Sequence, residues 1–166
     1  MSDALKTPLP AGKHYYDDLH VGAFFRTGRI TVTESHIVAF AGMSGDFFDV
    51  HMDDGFAREQ GFPGRIAHGL LGLCLVDGLK NRAEAQLQAV ASLGWNDWSF
   101  KAPILAGDSI AATISVEDMR LTSAADRGVV QLGFEVCNQD GTLVQSGRNA
   151  LLMRRRKEEQ DLAAES

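Results

Sequence analysis

The stretch His68-Gly69-Leu70-Leu71-Gly72-Leu73-Cys74-Leu75-Val76-Asp77-Gly78-Leu79-Lys80 decides the fold of this chain. Apolar residues leave almost no polar face in its first three turns, which predicts a buried helix from His68 to about Glu84. A helix that is apolar all round is surrounded by protein rather than lying on its surface. Cys74 in this helix and Cys137 in a later apolar segment are both expected to be buried free thiols, as in a reducing cytoplasm.

Residues after this helix alternate between apolar and polar, a pattern typical of β-strands. Strands are expected at Ala89–Phe100, 110–117, 130–136 and Leu143–Met153, with a hairpin turn at Asp140-Gly141 before the last. One buried helix followed by antiparallel strands predicts a single α+β domain in which the sheet wraps the helix.

The residues before the helix predict shorter elements. A strand is expected over Phe24–Thr33, followed by a short helix that Thr33 caps and that ends near residues 42–45. A loop over Asp46–His51 and a second helical segment over Asp53–Gln60 complete this part.

Length and charge exclude several classes of protein. The chain has 166 residues, a size typical of one domain, and a formal net charge of −6. An acidic balance argues against a nucleic-acid partner, whose phosphates need Lys and Arg. No apolar run reaches the ~18 residues that span a membrane, and the start lacks an export signal, so a cytoplasmic location is expected. We expect tails at residues 1–14 and 155–166 around one domain at 15–154.

The sequence offers few residues for chemistry. It lacks a P-loop, a dinucleotide fingerprint and a paired-cysteine or His-Glu-x-x-His metal motif, so no metal is expected. Asp46 and His51, five residues apart, can hold a water between a carboxylate and an imidazole, or they can cap a turn and a helix. Gly69 can offer its N–H to a developing negative charge at the helix start, or it can serve close packing.

Three motifs resemble the MaoC-like dehydratases and (R)-specific enoyl-CoA hydratases. Residues 44–51, Ser-Gly-Asp-Phe-Phe-Asp-Val-His, match the family pattern Gly/Ser-x-Asp-x-Asn-Pro-x-His. Residues 65–71 match its Ala-His-Gly helix start, and residues 100–108 match its Phe-x-x-Pro-x-x-x-Gly-Asp connection. The resemblance implies a hot-dog fold, in which an antiparallel sheet wraps a long helix. It also implies a homodimer or larger homo-oligomer with active sites near the subunit interface.

The resemblance further implies reversible addition of water across the double bond of a 2-enoyl-CoA thioester. Asp46 and His51 would activate the water, and the Gly69 N–H would hold the thioester oxygen as the enolate forms. No cofactor is implied, because coenzyme A enters as part of the substrate. Among the basic residues, Lys101, Arg148 and 154–157 are candidates for its phosphates by charge alone.

Four further residues are expected to contribute to substrate binding: Phe48, Arg65, His68 and Asp77. Phe48-Asp49 replaces the family's Asn-Pro, which suggests a substrate other than a plain fatty enoyl chain. Asp77 stands where some hydratases have a small hydroxyl residue. It is expected to pair with Arg65 or another base, to tune Asp46, or to face solvent.

Three functions remain open at this point. The first is a hydratase or dehydratase, and the second is an acyl-CoA thioesterase, in which water attacks the carbonyl instead. The third is an acyl-CoA-binding hot-dog protein whose chemistry the Phe48-Asp49 change has altered. The sequence does not give the chain length, ring or branching of the acyl group, nor the direction of the reaction.

Overall fold

The computed structural model describes residues 6–156, which form helices and strands in the predicted order. The α-helices are α1 (Glu34–Ser44), α2 (Asp49–Met52), α3 (Asp54–Glu59) and α4 (Gly69–Asn81). The strands are β1 (Thr7–Pro8), β2 (Gly12–His14), β3 (Ala23–Arg26), β4 (Ile30–Thr31), β5 (Ala85–Leu87), β6 (Ala89–Phe100), β7 (Ser109–Leu121), β8 (Arg127–Cys137) and β9 (Leu143–Arg154). A 3-10 turn covers Tyr16–Asp18.

One large sheet carries the fold. Its strands lie in the order β1-β3-β7-β8-β9-β6, and β4 also pairs with β7. All of these pairings are antiparallel except that of β1 with β3. β2 and β5 form a separate parallel pair. The predicted α+β domain, with a long helix against an antiparallel sheet, is confirmed.

The alternation in β7 and β8 places one row of apolar side chains against α4. Ile110 and Ile114 of β7 and Val130 and Leu132 of β8 are completely inaccessible to solvent. Each such side chain contributes about 1.5–3 kcal/mol when it leaves water. Val76 of α4 is equally buried and belongs to the same core cluster. This packing fixes the position of α4 across the sheet.

The sequence predicts that α4 is surrounded by protein, and the described part of the chain covers it only in part. Leu70 is 61% exposed, and Cys74, one turn further along, is also exposed. Cys137 is partly accessible, so the prediction of two buried thiols is wrong, although both are free. The apolar pattern of α4 therefore includes a stripe that the described part of the chain leaves uncovered.

The predicted strand over Phe24–Thr33 is interrupted. Pairing with β7 ends at Arg26 and resumes at Ile30, because Thr27 accepts the Ala112 N–H with its side-chain oxygen, at 2.9 Å. Thr33 caps α1 as predicted, accepting from His36 N at 3.3 Å.

The expected N-terminal tail at residues 1–14 is also wrong in part. β1 pairs with β3, and β2 pairs with β5, so residues 7–14 belong to the folded domain. At the other end, Arg155 and Arg156 of the expected tail form ion pairs with Asp17 and Asp18. The remainder of that tail, 157–166, lies outside the described residues. No helix in the described range is long and apolar enough to cross a membrane.

Candidate active site

The Asp46 side chain sits on a tight turn between α1 and α2. Gly45 ends α1 with a φ of +79°, a left-handed conformation that favours glycine. The Asp46 carboxylate accepts the Phe48 N–H at 3.2 Å, and the carboxylate remains exposed. α2 begins at Asp49, so His51 lies on a helical turn rather than in the predicted loop. Asp49 suits the helix start, where a negative charge is favoured.

His51 is held in one tautomer by the backbone. Its Nδ1 lies 2.7 Å from the Ile66 carbonyl oxygen, which only accepts, so Nδ1 carries the proton and Nε2 is left as the basic nitrogen. Burial lowers the pKa of His51 from its ordinary 6.5. The hydrogen bond to the Ile66 carbonyl raises this pKa in part. The His68 ring lowers the pKa further, and the Asp46 carboxylate raises it. The imidazole is therefore neutral near pH 7.

His68 ties the Asp46 turn to the start of α4. Its side chain is only 2% exposed, and its Nε2 donates to the Asp46 carbonyl oxygen at 2.9 Å. The ring stacks on His51 with centroids 3.8 Å apart. Nδ1 of His68 is buried and has no hydrogen-bond partner among residues 6–156. His68 therefore acts on the geometry of both Asp46 and His51.

Asp46, His51 and His68 bring one polar atom each within 4.8 Å of the others, a spacing that a metal ion can use. The His51 and His68 rings are stacked, with planes that differ by only 29°, so lone pairs in those planes do not point from one ring toward the other. A tetrahedral ion needs its ligands to converge from well-separated directions. The arrangement fits a small hydrogen-bonded molecule such as water better than it fits a metal.

Gly69 opens α4 beside this cluster. Within the described chain, no residue accepts a hydrogen bond from its N–H, as is usual for the first turn of a helix. A Cβ at this position would lie 2.4 Å from the Phe100 ring, so the close approach of that ring requires glycine. The free N–H and the helix dipole together favour negative charge here.

Gln145 is a site residue that sequence reasoning missed. It is 2% exposed, donates through Nε2 to the Gly69 carbonyl at 2.9 Å, and accepts from Trp98 Nε1 at 3.2 Å. These bonds hold the first residue of α4 against β9. The signal in the sequence that could have identified Gln145 is a polar side chain at an inward-facing position of the last predicted strand.

A cavity of 410 Å³ adjoins these groups. Its walls include His51, Gly69, Phe100 and Gln145, with Phe62 and Lys101 at its edge. A larger cavity of 670 Å³ lies elsewhere on the sheet, and Arg148 is the one predicted candidate among its lining residues. Arg148 itself is held by Glu117 at 2.6 Å and Asp97 at 2.8 Å. Of the basic candidates in the described chain, Lys101 is the one that lines the cavity beside the site.

The other predicted binding residues lie at different distances from the cluster. Phe48 is 58% exposed and meets the His51 ring edge-to-face at 6.3 Å. Arg65 pairs with Glu34 at 2.9 Å and Asp54 at 3.3 Å, which links α1 to α3.

The expectation that Asp77 pairs with Arg65 or another base is confirmed for another base, Lys80, and not for Arg65. Asp77 pairs with Lys80 at 2.6 Å. Eight residues separate it from Gly69, about 12 Å along the helix.

Comparisons with known proteins identify the family and the fold. A family model described as a MaoC like domain matches residues 20–136. An (R)-specific enoyl-CoA hydratase of Aeromonas caviae is 32% identical over 114 residues, which cover 68% of this chain and 80% of that protein. A mesaconyl-CoA hydratase of Cereibacter sphaeroides is 29% identical over 147 residues, covering 82% of this chain and 43% of that protein. A solved MaoC-like dehydratase from Rhodospirillum rubrum superimposes with a TM-score of 0.78 at 27% identity, covering 87% of this chain and 99% of that one. The chain belongs to the MaoC-like dehydratase family and has its hot-dog fold.

Proposed function

We propose that this protein adds water reversibly across the double bond of a 2-enoyl-CoA thioester, giving the (R)-3-hydroxyacyl product. The observation that carries the proposal is the convergence of Asp46 and His51 beside the free N–H of Gly69. A carboxylate and a neutral imidazole that share one water form an acid–base pair next to a site for negative charge.

The residues have separate tasks in this reaction. The water gives one proton to the Asp46–His51 pair as its oxygen bonds to the β-carbon. The electron pair of the double bond moves toward the thioester, and the enolate oxygen accepts from the Gly69 N–H. The pair then returns a proton to the α-carbon, so that H and OH have been added and no cofactor is consumed. Only the enolate carries full charge at Gly69, so this N–H stabilises the transition state more than the substrate.

Substrate contacts are assigned from the same geometry. We infer that Phe48 covers the His51 side of the site with its ring, and that His68 positions Asp46 and His51 through its bond and its stack. Arg65 holds the elements around the site through its two ion pairs. Coenzyme A enters as part of the substrate, with Lys101 beside the cavity mouth as a candidate for a phosphate.

The active form is proposed to be a homodimer. Among residues 6–156, β6 pairs only with β9, which leaves the other edge of this twelve-residue strand free. Leu93 on that strand is 53% exposed and Leu70 on α4 is 61% exposed. A long apolar edge of this kind recruits another strand, and a second copy can satisfy it by a two-fold axis. Light scattering is expected to give twice the mass of the chain for the wild type. For Leu93→Lys the measured mass is expected to fall to that of one chain.

The hydratase proposal is tested by ultraviolet absorbance of a panel of 2-enoyl-CoA thioesters, whose conjugated signal disappears on hydration. Wild type is expected to bleach at least one member, and Asp46→Asn, nearly the same shape, is expected to lose at least 100-fold in kcat. Asp118→Asn removes an exposed carboxylate of β7 that does not line the site cavity and is the matched control. Full activity in Asp46→Asn refutes the role of Asp46, and release of free thiol instead of hydration identifies a thioesterase.

A further inference from the structure

A second polar cluster lies at the far end of α4 from Gly69. The Lys80 side chain is 7% exposed. Its Nζ donates to Asp77 at 2.6 Å and to Asn149 at 3.4 Å, and it lies 5.5 Å from the centre of the Trp95 ring. An ammonium group has three donors, and two of them have partners among the described residues. Lysine is rarely buried to this extent, so the surroundings of its ammonium group are a candidate for a binding site.

The cluster opens into a cavity of 420 Å³ between the end of α4 and the start of β6. Lys80 and Asp77 line it together with side-chain amides and a hydroxyl, from Asn81, Gln86, Gln88 and Ser92. Both N–H groups of the Asn149 side chain are occupied, by Ser92 Oγ and the Gly94 carbonyl, so its oxygen is fixed toward Lys80. The wall therefore combines the Lys80–Asp77 ion pair and hydrogen-bonding side chains with an apolar part that includes Leu87, Val90 and Leu151.

The negative partner of Lys80 does not close the cavity. The Asp77 side chain is 43% exposed and is held by the one ion pair with Lys80, so it can turn to solvent when another anion approaches. Lys80 is the buried member of this pair and Asp77 the accessible one, so an incoming anion competes with Asp77 for the ammonium. A carboxylate that reaches Lys80 from inside the cavity replaces that contact in a drier environment, where attraction between charges is stronger.

The dimer proposed above connects this cavity to the active site of the other subunit. If β6 pairs with itself about a two-fold axis, its start at Ala89 lies opposite the end of the second strand at Phe100. The Phe100 ring lies against Gly69. In such a dimer the Gly69 N–H of one copy would therefore lie next to the Lys80 cavity of the other. With its thioester at Gly69 of one copy, the acyl group would extend toward Lys80 of the other copy.

We propose that the Lys80 cavity binds a carboxylate at the far end of the substrate's acyl group, so that the preferred substrates are 2-enoyl-CoA thioesters of dicarboxylic acids. The inference rests on the proposed hydratase function and on the proposed dimer. Two of the three ammonium donors of Lys80 have acceptors within the described chain, so a methyl-ended chain leaves the third donor without one, whereas a carboxylate supplies it. A chain end that carries an acceptor is therefore favoured over a plain methyl end.

The test compares pairs of substrates that differ only at the chain end. Glutaconyl-CoA is paired with 2-pentenoyl-CoA, and 5-carboxy-2-pentenoyl-CoA is paired with 2-hexenoyl-CoA. At one of these lengths, wild type is expected to favour the carboxylate at least 10-fold in kcat/KM. Lys80→Met is expected to lose 10- to 100-fold on that carboxylate and to change the methyl-ended partner less than about threefold. Lys13→Met removes an exposed lysine of β2 and serves as the control for charge.

Binding measurements separate this inference from the hydratase proposal. Calorimetry with the saturated thioesters glutaryl-CoA and valeryl-CoA needs no turnover, so a preference for glutaryl-CoA supports the cavity even if no enoyl substrate reacts. Asp77→Asn removes the competing carboxylate and is expected to tighten glutaryl-CoA binding severalfold, which covers the case in which Lys80→Met fails to fold. Equal affinity for the two thioesters, or an equal loss on both in a folded Lys80→Met, overturns the inference.

Discussion

A single methyl group at Gly69 tests the proposed site most directly. In Gly69→Ala the new Cβ would lie 2.4 Å from one Phe100 ring atom and 2.6 Å from two others. Carbon atoms in contact prefer about 3.5–4.0 Å, so the ring must retreat by roughly 1 Å. The Phe100 ring is 57% exposed and has room to move outward. Alanine also favours a helix over glycine by up to about 1 kcal/mol. The free energy of unfolding is therefore expected to change by less than about 2 kcal/mol.

Activity is expected to respond far more than stability. The displaced ring and the added methyl crowd the place where the thioester oxygen accepts from the Gly69 N–H. Loss of one such donor lowers kcat by about 10²–10³-fold, and a displacement of 1 Å alone costs about 10²-fold. We therefore expect kcat for enoyl-CoA hydration to fall at least 100-fold in Gly69→Ala, while urea unfolding changes little.

A double-mutant cycle with Phe100→Ala isolates the clash. In the Phe100→Ala background, Gly69→Ala is expected to cost less than about fivefold, because the ring that meets the methyl is gone. Gly78→Ala, in the same helix with no atom within 4 Å of the new Cβ, controls for the change in helix propensity. Wild-type kcat in Gly69→Ala, or the same loss with and without Phe100, would refute the reasoning.

Three further expectations concern other parts of the molecule. Burial lowers the pKa of His51 below 6.5, and the reaction needs the neutral ring. We therefore expect kcat/KM to stay level down to about pH 6.5 and to fall only in more acidic buffer. An inflection of the pH profile above 6.5 contradicts this expectation. Gly72→Ala places a Cβ 2.3 Å from Gln145 Nε2 and is expected to lower the urea-measured free energy of unfolding by about 1–3 kcal/mol, whereas Gly78→Ala raises it by about 0.5–1 kcal/mol. Cys74 is exposed in a single chain, and a dimer interface on this face of α4 would cover it. A thiol reagent is therefore expected to modify Cys74 quickly at nanomolar protein and slowly at concentrations where light scattering gives a dimer. Equal rates at the two concentrations oppose such an interface.

Strands β6 to β9 and the capped helix α1 follow from the sequence, because alternation and capping are local signals. The free stripe on α4 does not. Leu70 and Cys74 have the same periodicity whether their own chain or a second copy covers them, so the pattern does not distinguish the two kinds of burial. The strands at residues 7–14 are equally hidden, since two or three residues carry no period and depend on partners far away in sequence.

The residues of the candidate site likewise include some that the sequence predicts and some that it does not. Asp46, His51 and Gly69 come from motif spacing, and the fold brings them to one place. Gln145 and Lys80 lie on elements that carry no motif, and their importance depends on which atoms they face. For Phe48, the sequence shows only that the amide of the family motif is missing. The structure shows where the replacing ring packs, against His51 and Phe56.

Both tryptophans of the chain, Trp95 and Trp98, pack edge-to-face with ring centroids 5.0 Å apart on the strand with the free edge. Trp95 lies beside the Lys80 ammonium, and Trp98 donates to Gln145, which holds Gly69. The intrinsic fluorescence of the protein therefore arises from one point that touches the strand edge, the far cavity and the start of α4. An unlabelled sample carries its own optical probe, and a change in emission on adding a thioester or on dilution reports directly on these three places.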